Sequence, residues 1–235
     1  MSTYLWVDLF AISVPFLFSF TKWFPFHKEW RYFFPACAAM CIFFLIWDIR
    51  FTEMGIWGFN EMHLVGISLW GLPLEEYLFF ICIPYACLFT YFVLREWVPD
   101  LNMRSGPILF VLALSLLVMG LCFIGKWYTS VTFLLLGSML LFLLYKGVSY
   151  LDHFLLMYLI ILLPFSIVNG ILTGSWIEQE VVWYNDAENL GVRLGTIPIE
   201  DTMYGMLMLL MTVAGMEWLK KKKSIFASDE NSTPI

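Results

Sequence analysis

Seven apolar segments occupy most of this 235-residue chain, at about 3–20, 32–48, 76–94, 107–125, 128–145, 150–169 and 201–219. A bilayer core is crossed by about 20 mainly apolar residues in helical form, with a range of about 17 to 25. Lipid offers backbone N–H and C=O groups no partner, so such a segment satisfies itself as a helix. The pattern therefore predicts an all-α fold, an integral membrane bundle of seven transmembrane helices. Charged residues are 14% of the chain, against about 25% in an ordinary soluble domain, which excludes a soluble globular fold. The net charge of −6 says little about partners, and no basic stripe suits a nucleic acid.

The basic residues orient the bundle. With the C-terminus cytoplasmic, Lys22, Lys28, Arg31, Arg95, Arg104, Lys146 and Lys220 to Lys223 all fall at cytoplasmic ends, ten of the thirteen basic residues. Only Arg50, Lys126 and Arg193 fall on the other face. Cytoplasmic loops carry an excess of Lys and Arg, so the bias supports seven helices in the inner membrane, N-terminus outside. The first segment has no basic n-region and carries Asp8, which reads as a retained helix rather than a cleaved signal. All five cysteines sit inside apolar segments and read as small hydrophobes. The two long connections, about 49–75 and 170–200, lie on the outer face. Trp176, Trp183 and Tyr184 in the second suit the headgroup level.

Pro73-Leu74-Glu75-Glu76 is answered 125 positions later by Pro198-Ile199-Glu200-Asp201, each at the mouth of an apolar segment. The same shift places Asn60 on Asn185 and Phe59 on Tyr184. Two parallel three-helix repeats would produce this. Residues 1–100 (helices 1–3) and 128–220 (helices 5–7) would be the repeats, 101–127 the connector helix 4 and 221–235 a cytoplasmic tail. The odd connector relates the repeats by an axis along the membrane normal and brings both acid pairs to one face.

Ionisable residues at a membrane boundary are functional candidates because burying them is costly, although an acid at a helix start also serves as a water-facing cap. Low dielectric and a like-charged neighbour both favour the neutral carboxyl, while the helix N-terminal dipole favours the anion. Each pair is therefore expected to share a proton, with one member facing a developing cation. Successive helical residues point about 100° apart, so one of each pair is expected to meet a substrate. Candidate catalytic residues are Glu75, Glu76, Glu200 and Asp201. Trp57, Phe59 and Tyr77 lie nearest in sequence and offer π faces to a cation, with Asn60 and Asn185 as further binding candidates. Asp48 and Arg50 read as a surface ion pair closing helix 2, and His63 as a hydrogen-bonding loop residue. No His/Asp/Glu cluster has metal-ligand spacing and no Gly-rich fingerprint follows a strand, so no metal and no dinucleotide cofactor are expected.

Gly55-Ile56-Trp57-Gly58-Phe59-Asn60, then Leu72-Pro73-Leu74-Glu75-Glu76-Tyr77-Leu78-Phe79-Phe80 and Ile83-Pro84-Tyr85 to Tyr91, resembles the carotenoid-type, flavin-free lycopene cyclases of membranes, here in the fused single-chain bacterial form. The resemblance covers about 3–220, with a Pro-x-Glu-Glu/Asp motif in each half; Thr202-Met203-Tyr204 departs from the aromatic run after the first motif. No synthase domain is expected after residue 220. The resemblance implies a non-redox, cofactor-free cyclisation of lycopene through γ-carotene to β-carotene. Protonation at C2 of the ψ end gives a cation at C1, the C5–C6 double bond attacks, and proton loss leaves a β-ring. A carotenoid end-group hydratase of the same superfamily and a proton-coupled small-molecule transporter stay open as alternatives. A retinal photoreceptor would need a lysine within helix 7, and none stands between Thr202 and Leu219. Lycopene, γ-carotene and membrane lipid are the implied partners, with a homo-oligomer or contact with other carotenoid enzymes compatible.

Overall fold

The structure, a computed structural model, describes residues 2–230, with side chains through Lys223. Residues 231–235 of the expected tail lie outside it. Among the described residues seven α-helices carry the fold: α1 (Thr3–Phe18), α2 (Trp30–Glu53), α3 (Leu74–Trp97), α4 (Gly106–Cys122), α5 (Trp127–Tyr145), α6 (Leu151–Leu172) and α7 (Ile199–Glu230). Five are long and apolar enough to cross a membrane: α2, α3, α5, α6 and α7. The other two are apolar but short, 16 residues in α1 and 17 in α4. At 1.5 Å per residue they rise about 24–26 Å. Capping explains the abrupt start of α1, where Ser2 Oγ accepts the Leu5 N–H at 3.1 Å and satisfies one orphan donor of the first turn.

Helices 2 and 7 overrun their expected ends the furthest. Helix 7 does not stop at residue 219 but continues through Lys220–Lys223. Helix 2 runs five residues past Asp48, to Glu53. Asp48 is therefore not part of a surface pair with Arg50: it is buried inside α2, and Arg50 pairs instead with Glu53 at 2.7 Å. The hydropathy drop at Asp48 marks a buried polar site, not the helix end.

The long connections add a feature absent from a purely helical reading, three two-stranded antiparallel ladders. β1 (Trp57–Phe59) pairs with β4 (Val182–Tyr184), setting Trp57 opposite Tyr184, Gly58 opposite Trp183 and Phe59 opposite Val182. Asn60 N–H to Val181 O (2.8 Å) and Asn185 N–H to Ile56 O (2.9 Å) flank the ladder symmetrically. Gly58 is required there, because a Cβ would sit 2.4 Å from Cζ2 of Trp183. The other ladders are hairpins, β2 (Ser68–Leu69) with β3 (Leu72–Pro73) and β5 (Arg193–Leu194) with β6 (Ile197–Pro198). Trp70 and Gly71 turn the first with φ of 50° and 83°, the twist a two-residue hairpin favours. Each hairpin ends on the proline of an acid motif, so Glu75–Glu76 and Glu200–Asp201 enter the first turns of α3 and α7. Leu74 N–H to Ile67 O and Ile199 N–H to Val192 O, both 2.9 Å, fix the two junctions.

The helices pack α1 on α3, α2 on α7, α4 on α5 and α5 on α7. Buried aromatics fill the core, among them Phe26, Phe33, Phe44, Phe80 and Phe154.

Candidate active site

Within each acid motif the two carboxylates part company. Glu75 and Glu200 turn into their own loops. Glu75 Oε1 accepts from Ser2 Oγ and Val65 N–H, both at 2.6 Å. Glu200 Oε1 accepts from Thr129 Oγ1 at 2.6 Å and Leu190 N–H at 2.8 Å. The second oxygen of each is buried without a hydrogen-bond partner. These groups tie the start of a helix to the hairpin that delivers the motif.

Glu76 and Asp201, one step further along each helix, face a common cavity of about 260 Å³. Tyr4 OH donates to Glu76 Oε2 at 2.5 Å. Tyr128 OH donates to Asp201 Oδ1 at 2.5 Å, and Tyr184 OH to Oδ2 at 3.0 Å. Asp48 also lines the cavity and accepts Trp57 Nε1–H at 2.5 Å. Three carboxyl groups thus meet, and no Lys, Arg or His is among the lining residues. Three uncompensated negative charges in an apolar space would be prohibitively costly, so the set must hold protons between its members. The walls are aromatic. Tyr128 and Tyr184 stack at 5.9 Å, and Trp57 meets the edge of Tyr128 at 5.0 Å. Burial, then the neighbouring Asp201, pushes the loop phenol Tyr184 well above its usual range, so it remains an O–H donor. In the second long connection, the Arg193 guanidinium at 2.5 Å holds Asp186 below the usual carboxylate range.

Of the binding candidates, Trp57 and Phe59 line the cavity, while Tyr77, Asn60 and Asn185 do not. Tyr77 OH donates to Leu69 O at 2.7 Å and braces the first hairpin. Asn60 Oδ1 accepts Met62 N–H and Asn185 Oδ1 accepts Ala187 N–H, each at 3.1 Å. The matched asparagines are turn-formers. His63 shares a hydrogen bond with Thr3 Oγ1 at 3.0 Å. The sequence reading missed Tyr4, Tyr128 and Tyr204 of the cavity wall, and took Tyr184 for a headgroup anchor. Tyr4 and Tyr128 are 124 positions apart, so allowing a one-residue offset in the repeat alignment would have found them. Asp8 was read only as an argument against a signal peptide. It is fully buried, and neither carboxyl oxygen has a hydrogen-bond partner.

A family model described as lycopene cyclase matches residues 1–94 and 125–219. The chain belongs to the lycopene cyclase family. No curated protein and no solved structure matches it. Membership implies an enzyme of carotenoid cyclisation, and a carotenoid substrate suits a cavity lined mainly by apolar and aromatic side chains. The matched segments leave out residues 95–124, which hold α4.

Proposed function

We propose that this chain is a lycopene β-cyclase, closing the ψ ends of lycopene in turn, through γ-carotene, to β-carotene. One observation carries the reading: Glu76, Asp201 and Asp48 converge in a single apolar, aromatic-walled cavity. In this mechanism Glu76 and Asp48, which line the same cavity, share a proton. The pair delivers that proton to C2, and the C1 cation forms facing Trp57, Tyr128 and Tyr204. Cation–π attraction is worth about 0.5–2 kcal/mol per ring. The C5–C6 double bond closes the ring onto C1 and moves the charge to C5. Asp201, whose two oxygens accept from the Tyr128 and Tyr184 phenols, bonds that favour a carboxylate, takes the proton from C6. One proton enters and one leaves, so no electron acceptor is consumed. The proton then returns to Glu76 or Asp48 within the chamber. Water exclusion by the aromatic wall protects the cation from capture as an alcohol. Glu75 and Glu200 act as positioning residues that hold the motif.

In the same reading α1 and α4 also span, giving seven transmembrane helices in the inner membrane, N-terminus outside. The charge bias supports this orientation. Paired contacts support two parallel repeats: Ser2 and Val65 on Glu75 match Thr129 and Leu190 on Glu200, and Tyr4 on Glu76 matches Tyr128 on Asp201. The test is expression in a lycopene-accumulating host. Red cells turn orange-yellow as β-carotene replaces lycopene; unchanged lycopene, with the protein present in the membrane, would sink the assignment.

A further inference from the structure

The acids sit where the two halves meet, yet the space around them is lopsided. From the acid end the cavity continues between α1, α3 and α6, past Ala11, Ile83 and Val168 to Thr90. Along α3 it runs from Glu76 to Thr90, a rise of about 21 Å at 1.5 Å per residue. Pro164 on its flank is exposed and Val168 half-buried, so the slot opens at the side of the bundle.

A matching slot in the other half would lie between α5, α7 and α2. A shallow apolar groove is there, lined by Phe43, Leu135, Met139, Leu207 and Met211. None of these residues lines the acid cavity. Equivalent hydrogen bonds fix the correspondence. Ile56 N–H to Phe51 O in the first half is matched by Val181 N–H to Leu172 O in the second, so α6 follows α2 by 121 positions. The acid motifs set α7 behind α3 by 125 positions. Phe44 then corresponds to Phe165, Trp47 to Val168 and Phe80 to Gly205.

Those pairs explain the lopsidedness. In the first half Phe44 stands 5.9 Å from Phe80 and 4.9 Å from Tyr204, and Trp47 5.0 Å from Tyr204. Phe44 and Phe80 are completely buried. These rings wall the acids off from the Phe43 groove. In the second half Val168 and Gly205 stand in place of Trp47 and Phe80, and both line the cavity. A Cβ on Gly205 would point at the Phe165 ring, 3.4 Å from Cε2, just as Phe80 meets Phe44.

We propose that the acid chamber has a single mouth, the α1–α3–α6 slot, held open by Gly205 and Val168, and that a linear polyene lies along this slot with one end among the carboxyls. This rests on the cyclase reading above. Both ends of one substrate then pass through the same mouth in turn, and the half-product leaves and re-enters reversed.

The test compares wild type with Gly205→Phe, Val168→Trp and Met211→Trp. Each is expressed in the lycopene-accumulating host, and purified in detergent, where lycopene is titrated against tryptophan fluorescence. Gly205→Phe and Val168→Trp are expected to lose ring formation by more than about tenfold, the scale at which a pocket rejects misfitting volume, and to lose saturable quenching. Met211→Trp, which also adds an aromatic ring on the helix of Gly205 but in the groove walled off from the acids, is expected to match wild type in both. A mouth variant that keeps wild-type melting, quenching and ring formation overturns the proposal, as does equal loss in Met211→Trp. If Gly205→Phe does not reach the membrane, Val168→Trp decides alone. Wild type that is quenched saturably but forms no ring refutes the cyclase reading, and the mouth is then judged on quenching.

Discussion

At the residue scale the decisive contrast is within each acid pair. Glu76 and Asp201 face the cavity, while Glu75 and Glu200 hold loops. Glu76→Gln and Asp201→Asn should therefore lower ring formation by at least about a hundredfold, the scale of lost general acid–base catalysis, with the protein present at wild-type level. Glu75→Gln should act differently. It weakens an acceptor shared by Ser2 and Val65 N–H, and leaving a buried donor unsatisfied costs about 1–3 kcal/mol. A lower melting temperature in detergent with residual turnover is expected; wild-type melting with abolished turnover would move Glu75 into the chemistry. Asp48→Asn should impair ring formation strongly while Arg50→Gln does not, separating two residues that sequence alone had paired. The motifs were legible because paired acids at apolar boundaries stand out. Asp48 was not, because a polar residue at the end of an apolar run looks the same whether it caps a helix or lies buried in one. Only the continuation of α2 to Glu53 tells them apart.

At the element scale the helices were legible and the strands were not. A helix announces itself by a long apolar run, whereas β1 and β4 have three residues each and the hairpin strands two. No periodicity survives at that length. Their pairing partner is also remote, since β1 bonds to a strand more than a hundred residues away. The ladder nevertheless sets the site, because it presents Trp57, Phe59 and Tyr184 to one cavity. Gly58→Ala puts a methyl group against Trp183, and overpacking of this kind costs about 1–3 kcal/mol. The variant should melt earlier and cyclise less, and Trp183→Leu in the same chain should restore both by vacating the ring's place. Loss that persists in the double variant would mean that the glycine serves something other than this contact.

At the scale of the whole molecule the charge bias and the repeated motif suggested two halves meeting over one chamber, and residues from both sides of position 100 line the cavity. Tyr4, Asp48, Trp57 and Glu76 come from before residue 100; Tyr128, Tyr184, Asp201 and Tyr204 come from after it. What a repeat alignment cannot convey is how unequal the two sides of the chamber are, since a buried Asp8 stands on α1 and, in the aromatic wall, Trp47 and Phe80 are matched only by Val168 and Gly205. The link between the halves, by contrast, contributes nothing to the lining: no cavity residue falls in 95–124. Asp100 is exposed, while Asp152 accepts from Met103 N–H and Ser105 N–H just beyond it, both at 2.9 Å, which anchors the start of α4 to α6. A break between Asp100 and Leu101 therefore spares every chamber contact and leaves α4 packed on α5. Segments 1–100 and 101–235, expressed together in the lycopene-accumulating host, are expected to form rings, and each alone to form none. The association is driven by α2 packing on α7, α3 on α6 and the β1–β4 ladder. Ring formation by one segment alone would mean that its own carboxyls suffice, and the shared chamber would have to be abandoned.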